Sequence, residues 1–273
     1  MTPSVAGPIV LVGAGKMGGA LLEGWLAGGI NPKQIYIQDP NPPEECRVLI
    51  DKHGIAANAA QDDIPDPAIV LLAVKPQIMD KVLSGLGGLV RPGALYVSVA
   101  AGRTVASMAA HLGGGAAIVR TIPNTPAAVG RGITVCFANA HVSAAQRALA
   151  DDLLQAVGAV AWVAEESLID AATAVSGSGP AYVFYLTECL AAAGMEAGLP
   201  AETAALLARA TVEGAGELMY RSELTPATLR QNVTSPNGTT AAALAVLGKE
   251  PGLRDLMVQA VAAAARRAKE LSE

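Results

Sequence analysis

Two short stretches of this chain bring together residue types that can grip an anion without a charged side chain. GAGKMG at 13–18 has the spacing G-x-G-x-x-G, and VTSPNGTTAAAL at 233–244 sets a proline, an Asn-Gly pair and two threonines within alanine- and leucine-rich sequence. The chemistry available to both comes from the backbone. The first amides of a helix lack intrahelical acceptors and sit at the positive end of its dipole. In the first stretch the glycines follow a strand and open a helix, so those amides could face the pyrophosphate of a dinucleotide. In the second, Asn237-Gly238 can take left-handed turn geometry and Thr239-Thr240 restart a helix, a mouth ringed by hydroxyls that suits a small carboxylate. Ordinary N-capping by Thr239 or Ser235 would use the same residues with no ligand. A third departure from plain helix, AVSGSGPAYVF at 174–184, favours ligand binding over capping alone. There Ser178 or Ser176 can cap a helix, Pro180 suits its first turn, and Gly177 and Gly179 let the backbone come close to another group; a tolerated kink is the alternative.

The elements that must position these residues follow from hydrophobic periodicity. Strands are expected at the head of PIVLVGAGKMGGALLEGWLAGG (8–29), in QIYIQD (34–39), AIVLLAVKP (68–76), ALYVSVAAG (94–102), AAIVRTIPNTP (116–126), GITVCFAN (132–139) and AVAWVAEE (159–166). Strands alternating with helices predict a parallel sheet covered on both faces. After about residue 165 the strands stop, and 167–197, 201–221, 226–233, 239–248 and 252–271 read as helices. The expected fold class is therefore an α/β N-terminal Rossmann-type domain over residues 1–164, followed by an all-α domain over 165–273 for dimerisation and substrate binding. Alanine-rich helices allow close backbone approach, which predicts a homo-oligomer through this second half.

Asp39 ends the second strand, where an acid accepts hydrogen bonds from a free adenosine ribose; turn initiation before Pro40 is the other reading. A carboxylate there leans the loop toward NADH or toward both NADH and NADPH, the nearest bases being Arg47 and Lys52. AVKP (73–76) and VAAG (99–102) end later strands on the carboxyl edge, where such sheets place their ligand crevice. Lys75 in the first of these is a cofactor contact or an exposed strand-end charge.

Composition removes several function classes. Net charge is -5 and no Lys/Arg run carries interleaved aromatics, which excludes a nucleic-acid partner. The longest aliphatic run, AIVLLAV at 68–74, is too short to span a bilayer, and no basic segment precedes an apolar signal core, so the expected location is the cytoplasm. Cys46, Cys136 and Cys189 are odd in number and far apart, which argues against disulfides and a CxxC pair; no metal site is expected. His53, His111 and His141 fall outside the three motifs, so a histidine acid is not expected.

With these residues laid out, the sequence resembles pyrroline-5-carboxylate reductase. The likeness runs along essentially the whole chain through VGAGKMG, AVKPQ, DAATAVSGSGPAYVF (170–184) and QNVTSPNGTTAAAL (231–244). The resemblance implies hydride transfer from NADPH or NADH to the C=N bond of 1-pyrroline-5-carboxylate, giving L-proline. It implies a helical domain that intertwines into homodimers, and into a decamer of five dimers. Candidate cofactor contacts are then Gly13, Ala14, Gly15, Lys16, Met17, Gly18, Asp39, Asn58, Ala73, Val74, Lys75, Pro76, Ala100 and Asn232. Candidate substrate contacts are Ser178, Ser235, Gly238, Thr239 and Thr240, with the Thr240 hydroxyl near the imine nitrogen as the catalytic group. The chain departs from the usual SPGGTT at Asn237 and from the common MPN at Ile122-Pro123-Asn124. A two-domain 3-hydroxyacid dehydrogenase would need a lysine on the long helix, yet only Lys81 lies between Lys75 and Lys249. A non-catalytic dinucleotide sensor would keep GAGKMG without needing both breaks in the helical half.

Overall fold

The computed structural model describes residues 5–272. Its first part alternates strands and helices: β1 Ile9–Val12, α1 Lys16–Ala27, β2 Ile35–Gln38, α2 Glu44–His53, β3 Ala56–Ala57, β4 Ile69–Leu72, α3 Met79–Ser84, β5 Leu95–Ser98, α4 Val105–Leu112, β6 Ala117–Ile122, β7 Gly132–Ala138, α5 Ala144–Leu154 and β8 Gly158–Trp162. The strands form one sheet in the order β3-β2-β1-β4-β5-β6-β7-β8. Chain direction across the sheet therefore reverses between β1 and β4, and a doubly wound sheet opens its ligand crevice at such a point.

The apolar runs IVLV of β1 and IVLL of β4 are buried throughout, as expected of parallel strands covered on both faces. Alternate residues feed two layers. Ile9, Leu11, Ile69 and Leu71 pack with Leu22 and Trp25 of α1 and with Leu153 and Leu154 of α5. Val10, Val12, Val70 and Leu72 pack with Met79 and Leu83 of α3 and Met108 of α4 on the other side. Burying each large side chain contributes about 1.5–3 kcal/mol. Trp25 is fully buried and its Nε1–H donates to the Leu153 carbonyl at 2.9 Å, so its polar edge is satisfied inside the layer.

The sheet is mainly parallel, and the expectation of an all-parallel sheet needs one correction: β7 runs antiparallel to β6, pairing Val119 with Ala138 and Ile122 with Val135. Residues 123–131 between them fold into the short 3-10 turn Thr125–Val129 and a left-handed Gly130. So short a link cannot carry a parallel crossover, which takes a dozen residues or more. Strand β3 escaped the sequence reading because Ala56 and Ala57 are exposed edge residues with no apolar alternation.

The remainder is helical: α6 Leu168–Ala172, α7 Gly179–Glu196, α8 Ala201–Arg221, α9 Pro226–Asn232, α10 Thr239–Leu247 and α11 Leu253–Ser272. The chain divides into two compact units: one runs to Gly177 and takes in the stretch from Ala264 onward, and the other is Ser178–Ala263. In the first unit, Arg120 on β6 is only 4% exposed and pairs with Glu166 at 2.9 Å and Asp170 at 3.3 Å, and it donates to Ser272 Oγ at 3.2 Å. A buried guanidinium needs such partners in the dry interior. In the second unit α7 and α8 approach closely because Gly194 has no side chain; an added Cβ would lie 3.2 Å from the Ala204 Cβ. This unit leaves large apolar residues open, among them Phe184 at 62%, Tyr185 at 67% and Leu206 at 68%.

Candidate active site

In the first unit the GAGKMG loop leads from β1 into α1, and its three glycines do three different jobs. Gly13 sits at φ +91°, and a Cβ there would meet the Ala73 carbonyl oxygen at 2.7 Å and Val74 Cγ1 at 2.8 Å. Gly18 packs so tightly on the Gly13 carbonyl that no side chain fits. Gly15, at the N-cap of α1, has ordinary φ of -65° and nothing within 4 Å of where its Cβ would be. Only Gly15 is free of both strain and crowding, so its small size leaves space for something outside the chain. α1 has no side-chain cap, so its first amides, from Lys16 through Gly18, keep their donors available.

Two side chains fix Ala14 between those glycines. The Asp39 carboxylate accepts from the Ala14 N–H at 2.7 Å, and the Cys46 thiol donates to the Ala14 carbonyl at 3.1 Å. Asp39 also accepts from Asn41 N–H at 2.9 Å, so its turn-forming role is present at the end of β2. Asn58, in left-handed conformation at φ 53°, accepts from the Asp39 N–H at 3.0 Å and donates to the Asp39 carbonyl at 2.8 Å. Its amide is thus engaged in holding Asp39. Ala73, Val74, Lys75 and Pro76 follow β4, with Lys75 exposed at the start of a 3-10 turn, and Ala100 follows β5, buried. These all gather at the carboxyl edge beside the β1/β4 reversal.

Sequence reasoning missed Cys46 and Arg103 here. Arg103 donates to the Pro76 carbonyl at 2.8 Å and grips Asp80 at 2.7 Å, tying the loop after β5 to the loop after β4. Its only sequence signal is a lone arginine after AAG; Cys46 lies inside an ordinary amphipathic helix. Burial raises the Cys46 thiol pKa, with Glu45, Asp39 and Glu23 adding to it, so the thiol stays protonated. Cys136 is also buried and pushed up to about 12, mainly by desolvation, while Cys189 is exposed. The histidines lie away from these loops: His111 and His141 are exposed, and His53 is half-buried on α2.

In the second unit the break after α9 has the geometry of an open helix mouth. Asn232 ends α9, Asn237 takes φ 58°, and the Gly238 N–H donates to the Ser235 carbonyl at 3.1 Å to close the turn. Asparagine accepts the left-handed backbone that the more usual glycine would supply. α10 starts at Thr239 with Gly238 as N-cap and no side-chain cap bond. N-capping by Thr239 or Ser235 is therefore not what these residues do; both threonines lie inside the first turn of α10. Of Ser176 and Ser178, the two serines expected to cap a helix, Ser178 stands at the N-cap of α7 with Pro180 in the first turn. The Ser176 hydroxyl donates back to the Ala172 carbonyl at 2.9 Å, and Ser178 is in helical conformation with no cap bond. Between α6 and α7 lies a π-helical turn, Thr173–Gly177, so glycine-rich sequence here widens a helix instead of ending one. Among the described residues, no cluster of three His, Cys, Asp or Glu could hold a metal ion.

Comparison with known proteins settles the family. Residues 166–271 match the family model for pyrroline-5-carboxylate reductase dimerisation, and residues 8–102 match that for NADP oxidoreductase, coenzyme F420-dependent. The pyrroline-5-carboxylate reductase of Pseudomonas aeruginosa is 42% identical over 265 residues, covering 97% of each chain. The chain belongs to the pyrroline-5-carboxylate reductase family. The Escherichia coli pyrroline-5-carboxylate reductase is 36% identical over 97% of this chain and 98% of its own. A solved pyrroline-5-carboxylate reductase from Coxiella burnetii superposes with a TM-score of 0.91 at 37% identity, over 98% of this chain and 100% of that one. A Plasmodium falciparum pyrroline carboxylate reductase solved with NADP bound gives 0.78 at 27% identity, over 98% and 99%. Agreement at this level extends over essentially the full length of the chain, both its sheet-bearing and its helical part.

Proposed function

We propose that this chain reduces 1-pyrroline-5-carboxylate to L-proline with a reduced nicotinamide dinucleotide, the last step of proline biosynthesis. The observation that carries the reading is the pair of backbone anion sites, one in each unit: the Gly15 opening before α1, and the uncapped start of α10 beside Ser235. The dinucleotide supplies a hydride when bound. The Lys16, Met17 and Gly18 amides would hold its pyrophosphate, with Ala73 to Pro76 and Ala100 along the same edge of the sheet. Gly238, Thr239 and Thr240 cradle the substrate carboxylate with Ser235 and Ser178. The Thr240 hydroxyl hydrogen-bonds the ring nitrogen and orients the imine carbon. Holding the reactants face to face supplies much of the rate, and no strong base is needed. Oxidation of NADH and of NADPH in the presence of pyrroline-5-carboxylate tests the reading; a chain that oxidises neither is not this reductase.

Between the two donors, the position of Asp39 favours NADH. Its carboxylate stands beside the phosphate loop at the end of β2, where the extra phosphate of NADPH would meet a like charge. Asp39→Asn removes the charge and keeps an oxygen to accept from Ala14. We expect it to raise the NADPH-to-NADH ratio of kcat/KM about tenfold, since like-charge contacts near a surface are worth on the order of 1–2 kcal/mol. An unchanged ratio would assign the preference elsewhere.

The chain forms homodimers through the helical unit, whose open apolar residues need a cover. Five such dimers make a decamer. Sedimentation of the purified chain checks this: a decamer is the expected species, a dimer alone would confine assembly to the helical unit, and a monomer would refute both. No helix among the described residues is long and apolar enough to cross a membrane. We place the enzyme in the cytoplasm, where the reduced dinucleotide pool lies.

A further inference from the structure

We infer that Cys46 is a positioning residue of the phosphate loop, acting through the Ala14 carbonyl. This rests on the loop being the dinucleotide site. The thiol lies 3.1 Å from the Ala14 carbonyl oxygen, and the Asp39 carboxylate lies 2.7 Å from the Ala14 nitrogen, so successive peptide groups are held from two sides. A trans peptide points its N–H opposite to its C=O. Holding the Ala14 carbonyl toward α2 therefore aims the Gly15 N–H away from α2. Gly15 is the residue beside which the chain leaves open space.

Three observations make the contact a built one. Cys46 is buried on α2, and its thiol stays protonated and able to donate. Gly19, one turn into α1, makes the room: an added Cβ there would stand 2.7 Å from the Cys46 sulfur. The Ala14 side chain is itself fully buried, so the loop cannot turn over to find another donor. Without the thiol, the Ala14–Gly15 peptide loses the partner that fixes its plane. The amide then spends part of its time misdirected.

The test is steady-state kinetics of the full chain and its variants with NADH, NADPH and pyrroline-5-carboxylate, together with direct titration of each dinucleotide. Cys46→Ala is expected to raise KM for the dinucleotide about threefold to tenfold, the range for one lost orienting hydrogen bond, with kcat and the imine KM nearly unmoved. Cys46→Ser restores a donor at the same place and is expected to restore the dinucleotide KM. Gly19→Ala, which pushes the sulfur away from the loop without removing it, is expected to copy Cys46→Ala and serves where that variant does not fold. A serine variant as weak as alanine, or a Gly19→Ala chain with wild-type KM, overturns the inference while leaving the reductase reading intact. Failure of the unaltered chain to bind either dinucleotide removes both.

Discussion

Thr240→Ala lowers kcat for imine reduction by roughly tenfold to a hundredfold, the scale of a hydrogen-bonding group acting at the reacting atoms, and leaves dinucleotide binding nearly unchanged. The structure makes this a clean substitution. Thr240 lies within the first turn of α10, whose N-cap is Gly238 and which uses no side-chain cap, so the hydroxyl is not holding the helix together. Alanine is the better helix former, and the change in helix stability stays within about 0.5 kcal/mol. A loss of turnover with an intact melting profile thus reports on chemistry. The measurement is the rate of reduced-nicotinamide consumption at saturating imine, with dinucleotide affinity titrated separately. Equal turnover in the variant would strip Thr240 of its catalytic role.

Gly13→Ala and Gly15→Ala separate folding from binding within one loop. Gly13 combines φ +91° with three contacts under 3 Å to the residues just after β4, so a methyl group there costs about 2–4 kcal/mol through backbone strain and crowding. Thermal unfolding shows it as a lowered midpoint. Gly15 has neither problem, and its variant is expected to melt like the wild type. Its added methyl group instead fills the space through which a pyrophosphate approaches the amides, raising the dinucleotide dissociation constant at least about tenfold. Wild-type affinity in Gly15→Ala would mean that the phosphates sit elsewhere.

The glycine loop was legible in the sequence because its spacing encodes backbone geometry directly: a turn, an approach and a packing contact, each forced by the absence of Cβ. The buried strands were legible for a similar reason, since IVLV and IVLL have no polar face to hide. The direction of β7 was not, because apolar runs carry no sign and only the short link at 123–131 decides it. SGSGP does start a helix, with Ser178 at the N-cap of α7 and Pro180 in its first turn, but the π turn Thr173–Gly177 just before it was not legible. Serine and glycine signal caps and breaks, but Ser176 spends its hydroxyl on the carbonyl of Ala172. Asp39 was read for its ribose and for its turn, and the structure shows a carboxylate that also supports the loop. Cys46 was invisible because its partner, the Ala14 carbonyl, is a main-chain atom that leaves no mark in residue identity, and Arg103 because it joins the Pro76 carbonyl to an Asp80 that lies 23 residues away in sequence.

The first unit is assembled from two separated lengths of chain, and this bears on how it is made. Residues 264–272 leave the ribosome only after Ser178–Ala263 has been synthesised, yet Leu271 packs against left-handed Gly102, in the loop after β5, and Ser272 bonds Arg120. A nascent chain that has produced all eight strands still lacks the piece that covers this loop. The last turn of α11 therefore docks onto β6 and the loop after β5 only once the whole helical insert has been made, and the first unit closes last where its chain ends meet.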